Sequence, residues 1–455
     1  METDLATLLI KNADHIATMD DDRRELTQAS IFIRDGVIEA IGNAADLPVE
    51  ANDVIDMSGH VIIPGMINTH HHLFQNLTRV VPAAQNETLF GWLKTLYPIW
   101  SRIGPDQFYA AVALGLAELA MSGCTTSSDH QYIFPNGARL DDSIAAARDV
   151  GVRFTATRGS MSIGETKGGL PPDFLTEDED FILKESARLV DDFHDANPYA
   201  MTHVALAPCS PFSVSTGLMR DSAILAREKG VGLHTHLAEN VEDIDYSEAN
   251  FGKRPGDYAE DLGWVGDDVW HAHCVQLNHD EIDLFARTGT GVAHCPCSNM
   301  RLASGIAPVR KMRDHGVKVG LGVDGSSSND SGHMLNEARQ AMLLQRVGGD
   351  PAALTARDAL EMATRDGARV LNRKDIGVLA PGYAADLAAF DLNVIDFAGA
   401  HSDPIAALIF CGPVKANHTI INGKPVVQNG QLMTMDLREL MQRHRKFSID
   451  LVNNA

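Results

Sequence analysis

Between Met66 and Leu371 the chain repeats one unit, a short apolar strand followed by an amphipathic helix. Strands are expected in the segment leading into His70, at Cys124–Ser128, Val152–Thr157, Thr202–Ala207, Val231–Leu237, Val269–Val275, Gly291–His294 and Val317–Val323. Helices are expected between them over 105–122, 141–150, 177–196, 216–229, 241–262, 279–288 and 307–315, with two more over 333–347 and 356–371. The first shows the pattern clearly: Phe108, Val112, Leu116 and Leu119 fall on one face and Gly123 closes it. Residues 73–104, with Trp92 and Trp100, read as a long loop. Eight parallel strand–helix units favour a closed (β/α)8 barrel over an open sheet.

The two ends read differently. Leu8–Ile10, Ser30–Ile33 and Val37–Ile41 are strand-like, and Asp35-Gly36 makes a hairpin turn. Asp386–Phe390, Thr419–Ile421 and Pro425–Val427 repeat this character around Asn422-Gly423. Both termini are therefore expected to build one small β-sandwich domain beside the α/β barrel. The divisions are 1–63 for its first part, 64–372 for the barrel, and 373–455 for its second part with a terminal helix.

A net charge of -23 argues against binding a nucleic-acid backbone or an anionic membrane surface. No apolar run reaches the roughly 18 residues of a membrane helix. The acidic start Met1-Glu2-Thr3-Asp4 lacks a signal pattern. Six cysteines form no CxxC pair, which fits reduced thiols and a cytoplasmic location. A small-molecule substrate is the partner this composition suits.

In a barrel of this kind the reactive groups sit where strands end. Strand one runs through Pro64-Gly65 into His70-His71-His72. Side chains two apart on a strand share a face, so His70 and His72 point together and His71 points away. Strand five ends His234-Thr235-His236-Leu237-Ala238-Glu239, strand six His271-Ala272-His273, strand seven at His294, and strand eight at Asp324. Burying so many imidazoles together without a metal or charge partner is unfavourable. His70, His72 and His236 with Asp324 form a three-nitrogen, one-oxygen set suited to one divalent ion. Zn2+ is the expected ion, and Fe2+ accepts similar ligands. Its task is to lower the pKa of a water. His273 would accept or relay the proton of that water, and Glu239 would carry a proton from water to substrate.

The Pro64–His72 run, the His236/Glu239 pair, the Ala-His-Cys run with His273 and the Val-Asp-Gly run with Asp324 resemble the amidohydrolase superfamily, in its cytosine/guanine-deaminase-like branch. The resemblance covers nearly the whole chain. It implies one metal ion, hydrolytic deamination of an aromatic ring amine, and commonly a homo-oligomer. Dinuclear relatives carry a carboxylated Lys on strand four. Met201–Ser210 has no Lys, so the mononuclear branch fits. Gln75 matches a Gln that guanine deaminases use on the purine edge, and its amide offers a donor and an acceptor to a lactam. Cys209 departs from the Arg or His of relatives near that position and would help shape the pocket. Trp92 would stack on the base.

Three runs resemble 8-oxoguanine deaminases and hydroxytriazine aminohydrolases: His70–Gln75, Arg158–Gly164 with Gly168–Asp173, and His294–Leu302. The resemblance implies 8-oxoguanine plus water giving urate plus ammonia. Attack at C2 would be assisted by Glu239 protonating the adjacent ring nitrogen, with His273 and Asp324 managing the proton on the attacking oxygen. Hydroxytriazine, guanine and isocytosine deamination are the alternatives. A cytidine-type zinc deaminase needs Pro-Cys-x-x-Cys, and Cys295-Pro296-Cys297 has the wrong spacing. A non-catalytic scaffold of the same superfamily would be expected to have lost ligands that are all present here.

Overall fold

The computed structural model describes residues 6–48 and 50–453. The acidic start Met1–Asp4 lies outside the described residues. Eight parallel strands close into a barrel: β1 (Met66–Asn68), β2 (Cys124–Gln131), β3 (Arg153–Ser160), β4 (Thr202–Pro208), β5 (Gly232–Leu237), β6 (Val269–His273), β7 (Gly291–His294) and β8 (Lys318–Leu321). Closure is made by β8 pairing with β1, Leu321 opposite Asn68. Just beyond that pair the segments following β1 and β8 meet again. His71–His72 form a two-residue ladder with Asp324–Gly325, Asp324 opposite His71. The expected first strand is thus split, and His70 lies in the break between β1 and this ladder.

Most expected helices stand within a few residues of their expected bounds. Two are divided. The stretch 241–262 becomes Val241–Phe251 and Pro255–Asp261, with a new start at Pro255, a residue favoured in a helix's first turn. The stretch 356–371 becomes Ala356–Ala363 and Arg365–Val370, broken at Thr364, whose φ of -128° and ψ of -98° are not helical.

The expected loop after His72 is largely helical, which corrects the sequence reading. Leu89–Trp100 is a helix that buries Leu89, Trp92, Leu93, Leu96, Tyr97, Ile99 and Trp100. Those positions follow a 3–4 spacing. Gly91 and Pro98 mask it, since each is a poor helix residue when read locally.

The strands expected as a sandwich form one hydrogen-bonded sheet of nine strands drawn from both termini. Thr7–Ala17 makes this possible by its length. It pairs with Asp53–Asp56 through Leu8–Lys11 and with His60–Pro64 through His15–Ile16. His60–Pro64 in turn pairs with Leu387–Asp391 from the C-terminal part. The two expected hairpin turns touch. Gly36 and Gly423 have φ of 78° and 72°, and a Cβ on Gly423 would lie 2.9 Å from the Gly36 Cα. Only glycine meets both demands, the left-handed backbone and the close approach.

Glu337 sits under the open end of the barrel, fully buried in the helix Met334–Arg346. Its carboxylate accepts from Asn329 Nδ2 at 2.6 Å and from the Cys297 N–H at 3.3 Å. Burial pushes its pKa from 4.5 to about 7. A raised carboxyl pKa adds stability that is whole below the unfolded value and is lost as pH rises through the folded one. Glu337→Gln removes that loss. The melting temperature of the variant relative to wild type is therefore expected to rise from pH ~5 to pH ~8, by roughly 1–3 kcal/mol of stability. A difference that stays constant across that range contradicts the buried-acid account.

Candidate active site

Three strand ends turn sharply where reactive side chains are presented. Ala238, His273, Cys274 and Asp324 have φ of 51°, 72°, 52° and 60°. Non-glycine residues rarely adopt such values, and they cluster where function demands a particular direction. Here the turns follow β5, β6 and β8 and aim Glu239, His273 and Asp324 into one space.

The tautomers of the histidines follow from their hydrogen bonds. His72 Nδ1 lies 2.7 Å from the His130 carbonyl oxygen, and His236 Nδ1 lies 2.6 Å from that of Cys209. A carbonyl only accepts, so both Nδ1 atoms carry the proton and both Nε2 atoms are bare. His234 Nδ1 donates to the Trp270 carbonyl at 2.9 Å, so His234 Nε2 accepts the proton of His70 Nδ1 at 2.7 Å. His70 Nε2 is therefore bare as well, and it is buried without a hydrogen-bond partner. Burial also keeps these rings neutral. It lowers His72 to about 3 and His236 to about 4, and holds His70 well below its ordinary value.

The bare nitrogens converge. His72 Nε2 lies 3.1 Å from His236 Nε2, and Asp324 Oδ1 lies 3.2 Å from His70 Nε2 and 3.3 Å from His72 Nε2. Four electron-pair donors with no proton among them repel one another unless a cation stands between them. The donor set, three imidazoles and one carboxylate, fits a zinc-type divalent ion. Burial alone would raise Asp324, yet its carboxyl stands well below the usual carboxylate range, and His273, whose Nε2–H faces its Oδ2, favours the charged form. Ser298 and Ser328 hydroxyls donate to its Oδ2 at 2.5 and 3.2 Å.

Glu239 and His273 stand beside this cluster. His273 Nε2 is 3.5 Å from Glu239 Oε2 and 3.9 Å from Asp324 Oδ2. Asn299 Nδ2 donates to His273 Nδ1 at 2.9 Å, which leaves the His273 proton on Nε2, facing the two acids. Glu239 accepts from Ser304 Oγ at 3.1 Å, and its N–H is held by Asp243 at 2.8 Å. Burial, reinforced by Asp324, pushes Glu239 up to about 8.

A cleft opens onto these groups. Gln75, Trp92 and Cys209 all line it, with Tyr132, Leu93 and Phe212. Gln75 Nε2 donates to Tyr132 Oη at 3.3 Å, while its buried Oε1 has no partner. Trp92 is pinned by its indole N–H to the Ser327 carbonyl at 3.0 Å. Cys209 faces the cleft with a thiol that burial pushes up to about 12, and its carbonyl orients His236. The run from Arg158 stays outside. Arg158 is engaged by Glu177 at 2.9 Å and covers the Phe134 ring at 4.1 Å.

Several contributors were not singled out from the sequence. His130 joins the group of His70, His72 and His236. The strand expected over Cys124–Ser128 runs on through the polar Asp129-His130-Gln131. The imidazole partner of His70 is His234, 164 residues away, and nothing local reveals that pairing. Asn299, Ser304 and Asp243 are likewise set by tertiary contacts. His71 belongs to none of the groups of candidate ligands among the described residues, and its Nδ1 accepts the His72 N–H at 2.8 Å.

Known proteins resemble this chain along its length. Residues 61–426 match the amidohydrolase family. The chain is 44% identical over 425 residues to 8-oxoguanine deaminase of Pseudomonas aeruginosa, covering 93% of this chain and 94% of that one. It is 38% identical over 460 residues to hydroxydechloroatrazine ethylaminohydrolase of Pseudomonas sp. (strain ADP), covering 96% and 94%. Its fold overlays a crystal structure of atrazine chlorohydrolase from Arthrobacter aurescens TC1 complexed with zinc, with a TM-score of 0.93, 34% identity, and coverage of 97% and 100%. The His/His/His/Asp site is thus a divalent-metal site of the zinc type, and the chain is a hydrolase acting on a C–N bond of a small heterocyclic ring. Among the described residues no helix is long and apolar enough to cross a membrane. The family match takes in the whole barrel and, of the sheet beside it, the strands Leu387–Asp391 and His418–Ile421, and the chain belongs to the amidohydrolase family.

Proposed function

We propose that the chain hydrolytically deaminates an amino-substituted nitrogen heterocycle that carries a lactam, with 8-oxoguanine giving urate and ammonia as the first specific reading. The observation that carries the reaction type is the placement of Glu239 and His273 beside the converging Nε2 atoms, on the floor of a mostly apolar cleft. His70, His72, His236 and Asp324 hold the ion. When bound, that ion supplies the Lewis acidity that brings the pKa of a water near neutrality.

The chain's own groups then move protons. Glu239 takes a proton from the attacking water and delivers it to the ring nitrogen next to the amino-bearing carbon. His273 Nε2–H donates to the attacking oxygen and orients it, and Asp324 Oδ2 takes up its remaining proton. Collapse of the tetrahedral carbon expels the amine, which leaves as ammonia with a proton returned by the same carboxylates, and a carbonyl replaces it. One acid serving twice is economical general acid–base chemistry.

Binding rests on two unsatisfied acceptors. Gln75 Oε1 and Asp243 Oδ1 are both buried without partners, and both residues line the cleft. Each suits a ring N–H. Asp243 favours a ring with an N–H where guanine has a bare nitrogen, which describes 8-oxoguanine. The 44% identical deaminase supports the same reading. Trp92 and Cys209 complete the cleft, the first offering a face for the ring. A second reading, hydroxytriazine aminohydrolysis, is favoured by the 38% identical aminohydrolase and by the close overlay on the zinc-bound triazine enzyme. A hydroxytriazine in its keto form also presents a lactam N–H.

Ammonia release should be compared for 8-oxoguanine, guanine, isocytosine and hydroxyatrazine. The first reading expects 8-oxoguanine to exceed guanine at least ~10-fold in kcat/KM, the worth of about one hydrogen bond. Faster turnover of hydroxyatrazine selects the second reading, and faster turnover of guanine overturns the role given to Asp243. A further check concerns Gly325. A Cβ there would lie 1.8 Å from Gln75 Oε1. Gly325→Ala is expected to displace Gln75 and raise KM roughly 10-fold. An unchanged KM removes Gln75 from substrate binding.

A further inference from the structure

Outside the barrel centre, three side chains from two neighbouring helices meet at the surface. His279–Thr288 follows β6, and Val309–Asp314 precedes β8. His279 and Asp283 are four residues apart on the first helix, so they share a face. His315 is the C-cap of the second. Asp283 stands between the two rings, with its Oδ2 3.8 Å from His279 Nε2 and its Oδ1 3.7 Å from His315 Nε2. The rings meet edge to face with centroids 5.2 Å apart. The three residues can bring ligand atoms within 4.8 Å of one another.

One ring is already oriented as a metal ligand. His315 Nδ1 donates to the Lys311 carbonyl at 2.7 Å, which leaves the Nε2 lone pair facing Asp283. A backbone carbonyl on the remote nitrogen is the usual support of a ligating imidazole. Two imidazoles and a carboxylate suit Zn2+ and Cu2+, whereas Mg2+ and Ca2+ require mostly oxygen donors. The side chains are 57%, 52% and 31% exposed for His279, Asp283 and His315, so water can fill the remaining positions. Such a site exchanges its ion readily.

We propose that His279, Asp283 and His315 form a second transition-metal site, separate from the barrel centre, which takes Zn2+ or Cu2+ and ties the helix after β6 to the helix before β8. An ion bound only by the folded chain stabilises it by mass action. Neither helix supplies a group to the proposed reaction, so occupancy is expected to act on stability and leave turnover unchanged.

The test uses the metal-loaded protein, dialysed to constant metal content and titrated with Zn2+ at neutral pH by calorimetry. Wild type is expected to take up about one more Zn2+ per chain than His279→Ala or His315→Ala. Its melting temperature should rise with added Zn2+, and the rise should be absent from both variants. Cu2+ should bind more tightly than Zn2+, and Mg2+ should give no binding at this site. Equal Zn2+ uptake by wild type and both variants, or an equal rise in melting temperature, overturns the proposal. The comparison between wild type and variants is independent of which ring the enzyme deaminates.

Discussion

Glu239→Gln is expected to lower kcat about 10²–10⁴-fold while the metal content stays at the wild-type level. The reason lies in what the amide retains and what it loses. Gln fills the same volume, can still accept from Ser304 Oγ, and keeps the backbone N–H that Asp243 holds. It cannot take a proton from water and hand it to a ring nitrogen. His70, His72, His236 and Asp324 are untouched, so the ion should remain. Metal analysis alongside steady-state ammonia release separates the two effects. Wild-type turnover in this variant removes Glu239 from the mechanism, and loss of metal makes it a ligand support instead.

His236→Ala is expected to act at the other step. Its Nε2 is one of the bare nitrogens, 3.1 Å from that of His72, and its Nδ1–H is fixed by the Cys209 carbonyl. Removing it deletes one of four ligands, while the Cys209 carbonyl keeps the backbone N–H of residue 236 at 3.2 Å. Metal affinity should fall at least ~10–100-fold, the loss typical even of groups that only orient a ligand. Turnover at limiting Zn2+ should fall with it and recover partly when Zn2+ is added in excess. Full metal occupancy in the dialysed variant shows that the ligand set is wrong, and His130, already near the same group, is then the residue to test next.

The histidine cluster shows what can be read from a chain and what cannot. The barrel was legible because eight strand–helix alternations admit few other folds, and because His70, His236, His273 and Asp324 each stand just where an apolar run ends. Those signals are local. The support of the site is not. The proton on His70 is placed by His234, whose own proton is placed by the Trp270 carbonyl, and no spacing in the sequence links the three. Gln75 could be singled out as a lactam-binding amide, but the need for glycine at position 325 follows only from the contact between them. The helix Leu89–Trp100 was missed for a different reason: its apolar spacing is present, and Gly91 and Pro98 weigh against it locally. Burial of seven large side chains against the rest of the molecule outweighs two unfavourable residues. The strands of the terminal sheet were mostly legible, whereas the pairing that joins them depends on the length of Thr7–Ala17, which only the tertiary register reveals.

The most direct test of the central claim is ammonia release from 8-oxoguanine and hydroxyatrazine by one preparation measured three times: metal-loaded, chelator-stripped, and restored with Zn2+. The account predicts turnover of at least one of these rings by the loaded protein, loss of that turnover on stripping, and its return with about one Zn2+ per chain. Undiminished turnover by the stripped protein, or release of no ammonia from either ring by the loaded one, would contradict it.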